Sequence, residues 1–172
     1  MFRRTATAIL LAAVPWLCAC DDTTTTDPTS DPLTFTVSPN PAVAGQSDGK
    51  TYTIVGDSTH ADKVIPYSYK TRFTVTMEET GGVGRDIKSM DLKVQQASGG
   101  IVVIPTGSDI EHYESVPQAS GNRIEAKGRA TVSFDVWYDL PNKGREALVT
   151  MTFSFLDDND QSFSEQTTVQ VR

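Results

Sequence analysis

Cysteine is nearly absent from this chain of 172 residues: there are two, Cys18 and Cys20, and none follows. No disulfide can form downstream, so any exported domain there must be held by its core alone. Zinc–thiolate sites and cysteine nucleophiles are excluded with them. Histidine is as scarce, with only His60 and His112, too few imidazoles for a transition-metal site. His60 shares one short polar loop with Asp57 and Asp62 and gains too few ligands there. Basic residues number 15 against 22 acidic ones, for a formal charge of −7. Such a balance gives no bulk attraction for nucleic acid or anionic lipid heads, and no nucleic-acid partner is expected. No glycine-rich phosphate loop opens a helix, since Gly81-Gly82-Val83-Gly84 reads as a hairpin turn. No cofactor is implied. Hardly any stretch keeps helical spacing, and one apolar run stands out, from Ala6 to Leu17.

That run follows Arg3 and Arg4 and closes on Leu17-Cys18-Ala19-Cys20. A charged start, an apolar stretch and a small residue before a cysteine make up a secretory signal, and this segment resembles the lipobox of bacterial lipoproteins. The resemblance implies that residues 1–19 are a signal peptide, and that Cys20 is the lipid-attachment residue. Cys20 would carry a diacylglyceryl thioether and an acylated amino group, of which palmitate is one form. It also implies a membrane partner through the anchor. The location would be the bacterial cell envelope: the periplasmic face of the inner or outer membrane, or the cell surface. The alternative is a spanning helix or an ordinary cleaved signal. A span needs about 20 apolar residues, whereas this run is shorter, contains Pro15 and precedes Asp21-Asp22 closely. Cys18 follows Leu17, which is too bulky for the small residue that lipoprotein cleavage prefers. Loss of Arg3 and Arg4 takes the formal charge from −7 to −9.

Residues 20–32 hold the lipidated cysteine and then Asp, Thr, Ser and Pro only. With no apolar side chain but proline to bury, they read as a disordered tether, reaching at most about 40 Å. The folded unit is then residues 33–172. Its pattern is period two. Tyr67, Tyr69, Thr71, Phe73, Val75 and Met77 alternate with polar residues, as do Val132, Phe134, Val136 and Tyr138, and Ala147, Val149, Met151, Phe153 and Phe155. Such alternation is that of half-buried strands. Further strands fit 33–37, 51–55, 86–95, 101–104, 122–126 and 163–171. An all-β antiparallel sandwich of about seven to nine strands follows. Gly81-Gly82, Ser98-Gly99-Gly100 and Asp157-Asp158-Asn159-Asp160 supply turns, and Ser38-Pro39-Asn40-Pro41 suits an edge that switches sheets. The opening phrase from Phe35 to Gln46, with its proline break and Ala44-Gly45 turn, resembles bacterial immunoglobulin-like domains. That resemblance implies an immunoglobulin-like fold, here without the paired cysteines of antibody domains.

Three constellations could carry function. Gly56-Asp57-Ser58 and Asp109-Ile110-Glu111-His112 resemble two blocks of the Gly-Asp-Ser hydrolases. Their chemistry would need Ser58 activated by His112, oriented by Asp109; the competing reading is a hydrogen-bonded turn. Asp157, Asp158 and Asp160 lie in a phrase that resembles the cadherin calcium motif, departing at Gln161. Calcium wants six to eight oxygens, usually from several loops, so a solvated acidic turn is the alternative. Trp137 falls on the polar register of its strand. With Tyr113 and His112 it makes a candidate ligand or partner surface, able to stack on a sugar or anchor a protein, unless a neighbouring loop such as 106–120 covers it. Residues 105–121 read as the longest irregular stretch. The function expected is a non-catalytic immunoglobulin-like binding or structural module on a lipid anchor. A carbohydrate-binding module of the envelope is the alternative, and a serine hydrolase comes last.

Overall fold

The computed structural model describes residues 32–104 and 111–172. Cys20, its leader, most of the tether and Asp109 therefore lie outside the described residues. In chain order the strands are β1 (Leu33–Ser38), β2 (Gly45–Gln46), β3 (Thr51–Ile54), β4 (Lys63–Pro66), β5 (Tyr69–Glu79), β6 (Arg85–Ser98), β7 (Ile101–Val102), β8 (His112–Ala119), β9 (Arg123–Ile124), β10 (Arg129–Asp139), β11 (Ala147–Asp157) and β12 (Ser162–Val171).

One sheet runs β1-β5-β10-β8, with β2 also on β5; the other runs β12-β11-β6, with β7 and β9 both on β6. All these pairings are antiparallel. Seven long strands arranged as four against three, the last three consecutive in space as G, F and C, define the constant-type immunoglobulin sandwich. The expected class is therefore met, with β1, β5, β6, β8, β10, β11 and β12 as its A to G.

Alternation builds the core. Phe73, Val75 and Met77 of β5, Val132, Phe134, Val136 and Tyr138 of β10, and Val149, Met151, Phe153 and Phe155 of β11 are all buried. Burying each aliphatic or aromatic side chain of this size contributes about 1.5–3 kcal/mol. Phe134 joins the layers: its ring stands 5.4 Å from Phe73 in its own sheet and 6.4 Å, edge-on, from Phe153 in the other.

The proline phrase does switch sheets. β1 pairs β5 up to Ser38. Beyond the prolines, the Ala42 N–H donates to the Gln170 carbonyl at 2.7 Å, and Ala42 bridges Val171 in parallel on the other sheet. Gly99 and Gly100, at φ +57° and +85°, form the tight turn from β6 to β7, a backbone shape that side-chain-bearing residues rarely adopt.

One expectation is overturned. Residues 112–119, read as part of an irregular stretch, are an edge strand paired to β10 along its whole length, Val132↔Ala119 to Asp139↔His112. Most of its side chains are exposed, so no apolar alternation announces it. Pro117 reads as a break, yet an edge strand tolerates proline because one side of it donates to nothing. The strand expected at 51–55 is present as β3, Thr51–Ile54, but as one arm of a separate two-stranded hairpin with β4.

Candidate functional site

Residues 47–66 leave the sandwich after β2 and fold over the outer face of the first sheet, at the end where β5 begins and β10 finishes. Trp137 lies there on the outward register, yet it is only 8% exposed. Its Nε1–H donates to the Asp48 carboxylate at 2.7 Å, and the Lys50 and Lys70 ammonium groups sit 4.2 and 4.4 Å from its ring centroid. Each lysine is also paired, Lys50 with Glu114 at 2.5 Å and Lys70 with Asp48 at 2.9 Å. The hydrogen bond from Lys70, and next that from Trp137, hold the Asp48 carboxyl at about 2. Among the described residues the cover over Trp137 comes from Asp48, Lys50 and Lys70, with Glu114 of β8 holding Lys50 in place; residues 106–110 of the segment expected to supply it lie outside the described residues.

Two residues further along β10, Asp139 accepts hydrogen bonds from the Tyr52 hydroxyl at 3.0 Å and the Ser68 hydroxyl at 2.6 Å. The Tyr52 ring stacks on His112, with centroids 4.4 Å apart and planes within 20°, and meets Tyr67 at 4.9 Å. Burial, and then the bond to Asp139, push the Tyr52 phenol up to about 12, so it remains a donor. Lys50 lies over Trp137 and Tyr52 reaches Asp139, so the hairpin advances toward the end of β10 and carries its tip past it. At the base of its polar tip loop the hairpin leaves aliphatic side chains open: Val55 is 78% exposed, and Val64 and Ile54 are exposed too.

The tip loop holds the hydrolase-like phrase. Asp57 Oδ1 accepts from the Thr59 N–H and hydroxyl at 2.8 and 2.7 Å, and from the His60 N–H at 3.0 Å; His60 Nδ1 lies 2.9 Å away. The Thr59 hydroxyl, then His60, hold that carboxyl at about 2. Asp62 accepts the Gly56 N–H at 2.8 Å. This is a loop tied by its own carboxylates. Asp57 engages His60, whereas His112 is stacked on Tyr52 at the foot of the hairpin. The described residues assemble no Ser–His–Asp array around Ser58.

The proposed surface residues separate. Tyr138↔Tyr113 and Trp137↔Glu114 are facing pairs, and successive residues of a strand point to opposite faces. Tyr113 is therefore on the inward register at the sheet edge, while Trp137 and His112 are on the outer face, so Trp137 and Tyr113 share no concavity. In the acidic turn, Asp157 Oδ1 accepts the Asn159 and Gln161 N–H groups at 2.9 and 2.8 Å. Asp158 binds Arg123 through both oxygens at 3.0 Å. Asp160 stands in the left-handed region at φ +61°. Two of the three calcium candidates are thus engaged within the fold, and among the described residues no group of three or more His, Cys, Asp or Glu side chains is placed to hold a metal.

What the sequence did not announce is a polarity. The chain enters at Leu33, beside the β5–β6 turn, where the Thr80 N–H donates to the Pro32 carbonyl at 2.8 Å. Of the exposed aliphatic residues, Val43, Ile54, Val55, Val64, Ile101 and Ile104 belong to segments at the opposite end, and Val116 lies midway along β8. Ile101 and Ile104 are 74% and 83% exposed. Glu111 ties them to the hairpin corner: it accepts from the Gln96 N–H at 3.4 Å, next to His112, while the Gln96 carbonyl accepts from Val103 at 2.8 Å.

No protein-family model matches the chain, and no curated protein matches it. Among solved structures it is similar to a yeast GGA1 GAE domain–P21 structure, at 12% identity over 72% of this chain and 99% of that one, with a TM-score of 0.37. The fold assignment rests on strand order and register.

Proposed function

We propose that this protein is a lipid-anchored component of the bacterial cell envelope whose immunoglobulin-like sandwich is a non-catalytic interaction module. Cys20 carries the anchor, residues 21–32 are the tether, and the end bearing the hairpin is presented to a protein partner. The observation that supports the reading is the polarity of the domain. The chain enters at one end, and the open aliphatic side chains collect at the other, where an anchored domain would hold them away from its own membrane. Exposed apolar clusters mark interaction sites. They are aliphatic except for Tyr113, which is 38% exposed at the same end, a balance that fits protein side chains better than sugar rings, since sugars stack on aromatic faces.

The test is retention of partners by the full chain purified from detergent-solubilised envelopes of the cells that make it, with and without loop 55–62. A set of proteins held by the intact chain and lost with the loop is the expected result. Identical sets from both would contradict the reading.

A further inference from the structure

The outer edge of β6 is occupied at both ends and, among the described residues, open between them. At one end β7 pairs Ala97 and Ser98, and the Val103 N–H donates to the Gln96 carbonyl at 2.8 Å. At the other, β9 pairs Arg85 and Asp86, and the Ile87 N–H donates to the Asn122 carbonyl at 2.7 Å. Between them, Lys88 is bulged out of the ladder with β11, and residues 89–95 pair, among the described residues, only with β11 on the other side. At roughly 3.3 Å per residue, this open edge is about 26 Å long.

Antiparallel strands send alternate residues' main-chain groups to opposite edges. The Ala97 N–H goes toward the β11 side, to the Glu146 carbonyl, and the Gln96 carbonyl toward β7. Counting back, Met90, Leu92 and Val94 present their N–H and C=O groups to the open edge. Their side chains take the inward register, facing Phe153, Met151 and Val149, yet Met90 and Leu92 remain only half-buried. Two of the other edges carry deterrents to strand addition, Pro117 in β8 and, in β12, the inward register of Glu165, opposite Phe153, and the third, β1, is only six residues long. The open stretch of β6 has neither a proline nor an inward charge.

We propose that the edge of β6 between β7 and β9 is a strand-acceptor slot. It would take a short extended segment of a partner protein, apolar at alternate positions, whose main chain pairs with Met90, Leu92 and Val94 and whose side chains cover Met90 and Leu92. The flanking strands choose the occupant. A second copy pairing symmetrically would bring its own β6, which is 14 residues long, and that strand would run on into β7 at one end and β9 at the other. A short free segment fits between them. Strand addition draws affinity from main-chain bonds and specificity from alternate side chains. The inference deepens the interaction reading above and rests on it for the existence of a partner.

The test supplies a segment covalently. The full chain is extended after Arg172 by a linker of about 20 Gly and Ser residues, with a span of about 25 Å, and then by an alternating Thr-Val segment. A control tail has proline in place of each valine. Amide hydrogen exchange is read residue by residue. Without a tail, the Met90, Leu92 and Val94 amides are expected to exchange about a hundredfold faster than those of Asp91 and Lys93, which bond to β11. The Thr-Val tail slows the three by at least about tenfold. The proline tail does not, and Leu92→Glu weakens the protection while leaving the near-ultraviolet circular dichroism unchanged. Three results would overturn the slot: protection of these amides in the unextended chain, which would mean that its own residues fill the edge; equal protection by both tails; or protection transferred to 112–119 or 162–168. No protein retained by the intact chain, with the slot still protected by the Thr-Val tail, would instead sink the interaction reading alone.

Discussion

The Tyr52 hydroxyl donates to Asp139 Oδ2 at 3.0 Å, joining residues 87 apart in sequence. That bond, with the ring's stack on His112, pins the hairpin β3–β4 to the end of the first sheet. A two-stranded hairpin is at best marginally stable on its own, so its order depends on this attachment. Tyr52→Phe keeps the stack and removes the bond. The expected cost is about 1 kcal/mol, read in urea unfolding, together with faster amide exchange at 51–54 and 63–66. Unchanged exchange there would show that the hairpin is held by something else.

The tip beyond that attachment is separable from the fold. Ile54 faces Lys63, so an Asn-Gly pair in place of residues 55–62 makes a two-residue turn that suits the twist of the arms. The thermal midpoint of the shortened chain should stay within a few degrees, about the shift that 1 kcal/mol produces in a domain of this size. Removing 106–120 is a different operation, because it deletes β8 and uncovers the edge of β10. That chain is expected to unfold or aggregate.

Glu79 sets an acid limit. It is 1% exposed, accepts the Gly81, Gly82 and Lys127 N–H groups at 2.7, 2.8 and 2.9 Å, and lies 3.7 Å from the Arg85 guanidinium. Burial by itself would raise this carboxyl, but the backbone donors of Lys127, Gly82, Gly81 and Val83 outweigh it, and the net direction is down. A carboxyl depressed in the folded state contributes stability that is complete above its unfolded value, about 4.3. That contribution is lost as pH falls from there through the folded value. Stability should therefore decline below about pH 4.3, and Glu79→Gln should flatten that slope and cost about 3 kcal/mol at neutral pH. An unchanged slope in the variant would assign the acid limit elsewhere.

The Arg123 cluster is a surface device by contrast. Its guanidinium meets Asp86, Glu125 and Asp158, and Asp86 first, then Asp158, raise its basicity. Arg123→Ala should change stability little, because exposed ion pairs are screened by solvent, and less again in 1 M salt, where the screening length is about 3 Å. Calorimetry with millimolar calcium should show no heat for the intact chain; a saturating exotherm would restore the acidic turn as a cation site.

Where apolar side chains alternate, the fold was legible. β5, β10 and β11 follow their sequence patterns closely, because each packs one face on the core and leaves the other polar. The proline phrase after β1 also announced its change of sheet. β8 did not announce itself, because an exposed edge strand has no apolar face to display and Pro117 mimics a break. The cover of Trp137 was hidden for another reason: Asp48 and Lys50 reach it from 89 and 87 residues away, and no local pattern encodes such a contact. The stack of Tyr52 on His112 is of the same kind. The separation of Tyr113 from Trp137 follows from register alone, once β8 is known to be a strand.

The most direct test of the account is site-specific photo-crosslinking in intact cells that make the protein, with the probe at Val55 in one variant and at Asp160, near the chain-entry end, in another. The account predicts a discrete protein adduct from Val55 and none of the same mass from Asp160, in a chain that Cys20→Ala releases from the membrane fraction. The same adduct from both positions, or from Asp160 alone, would contradict it.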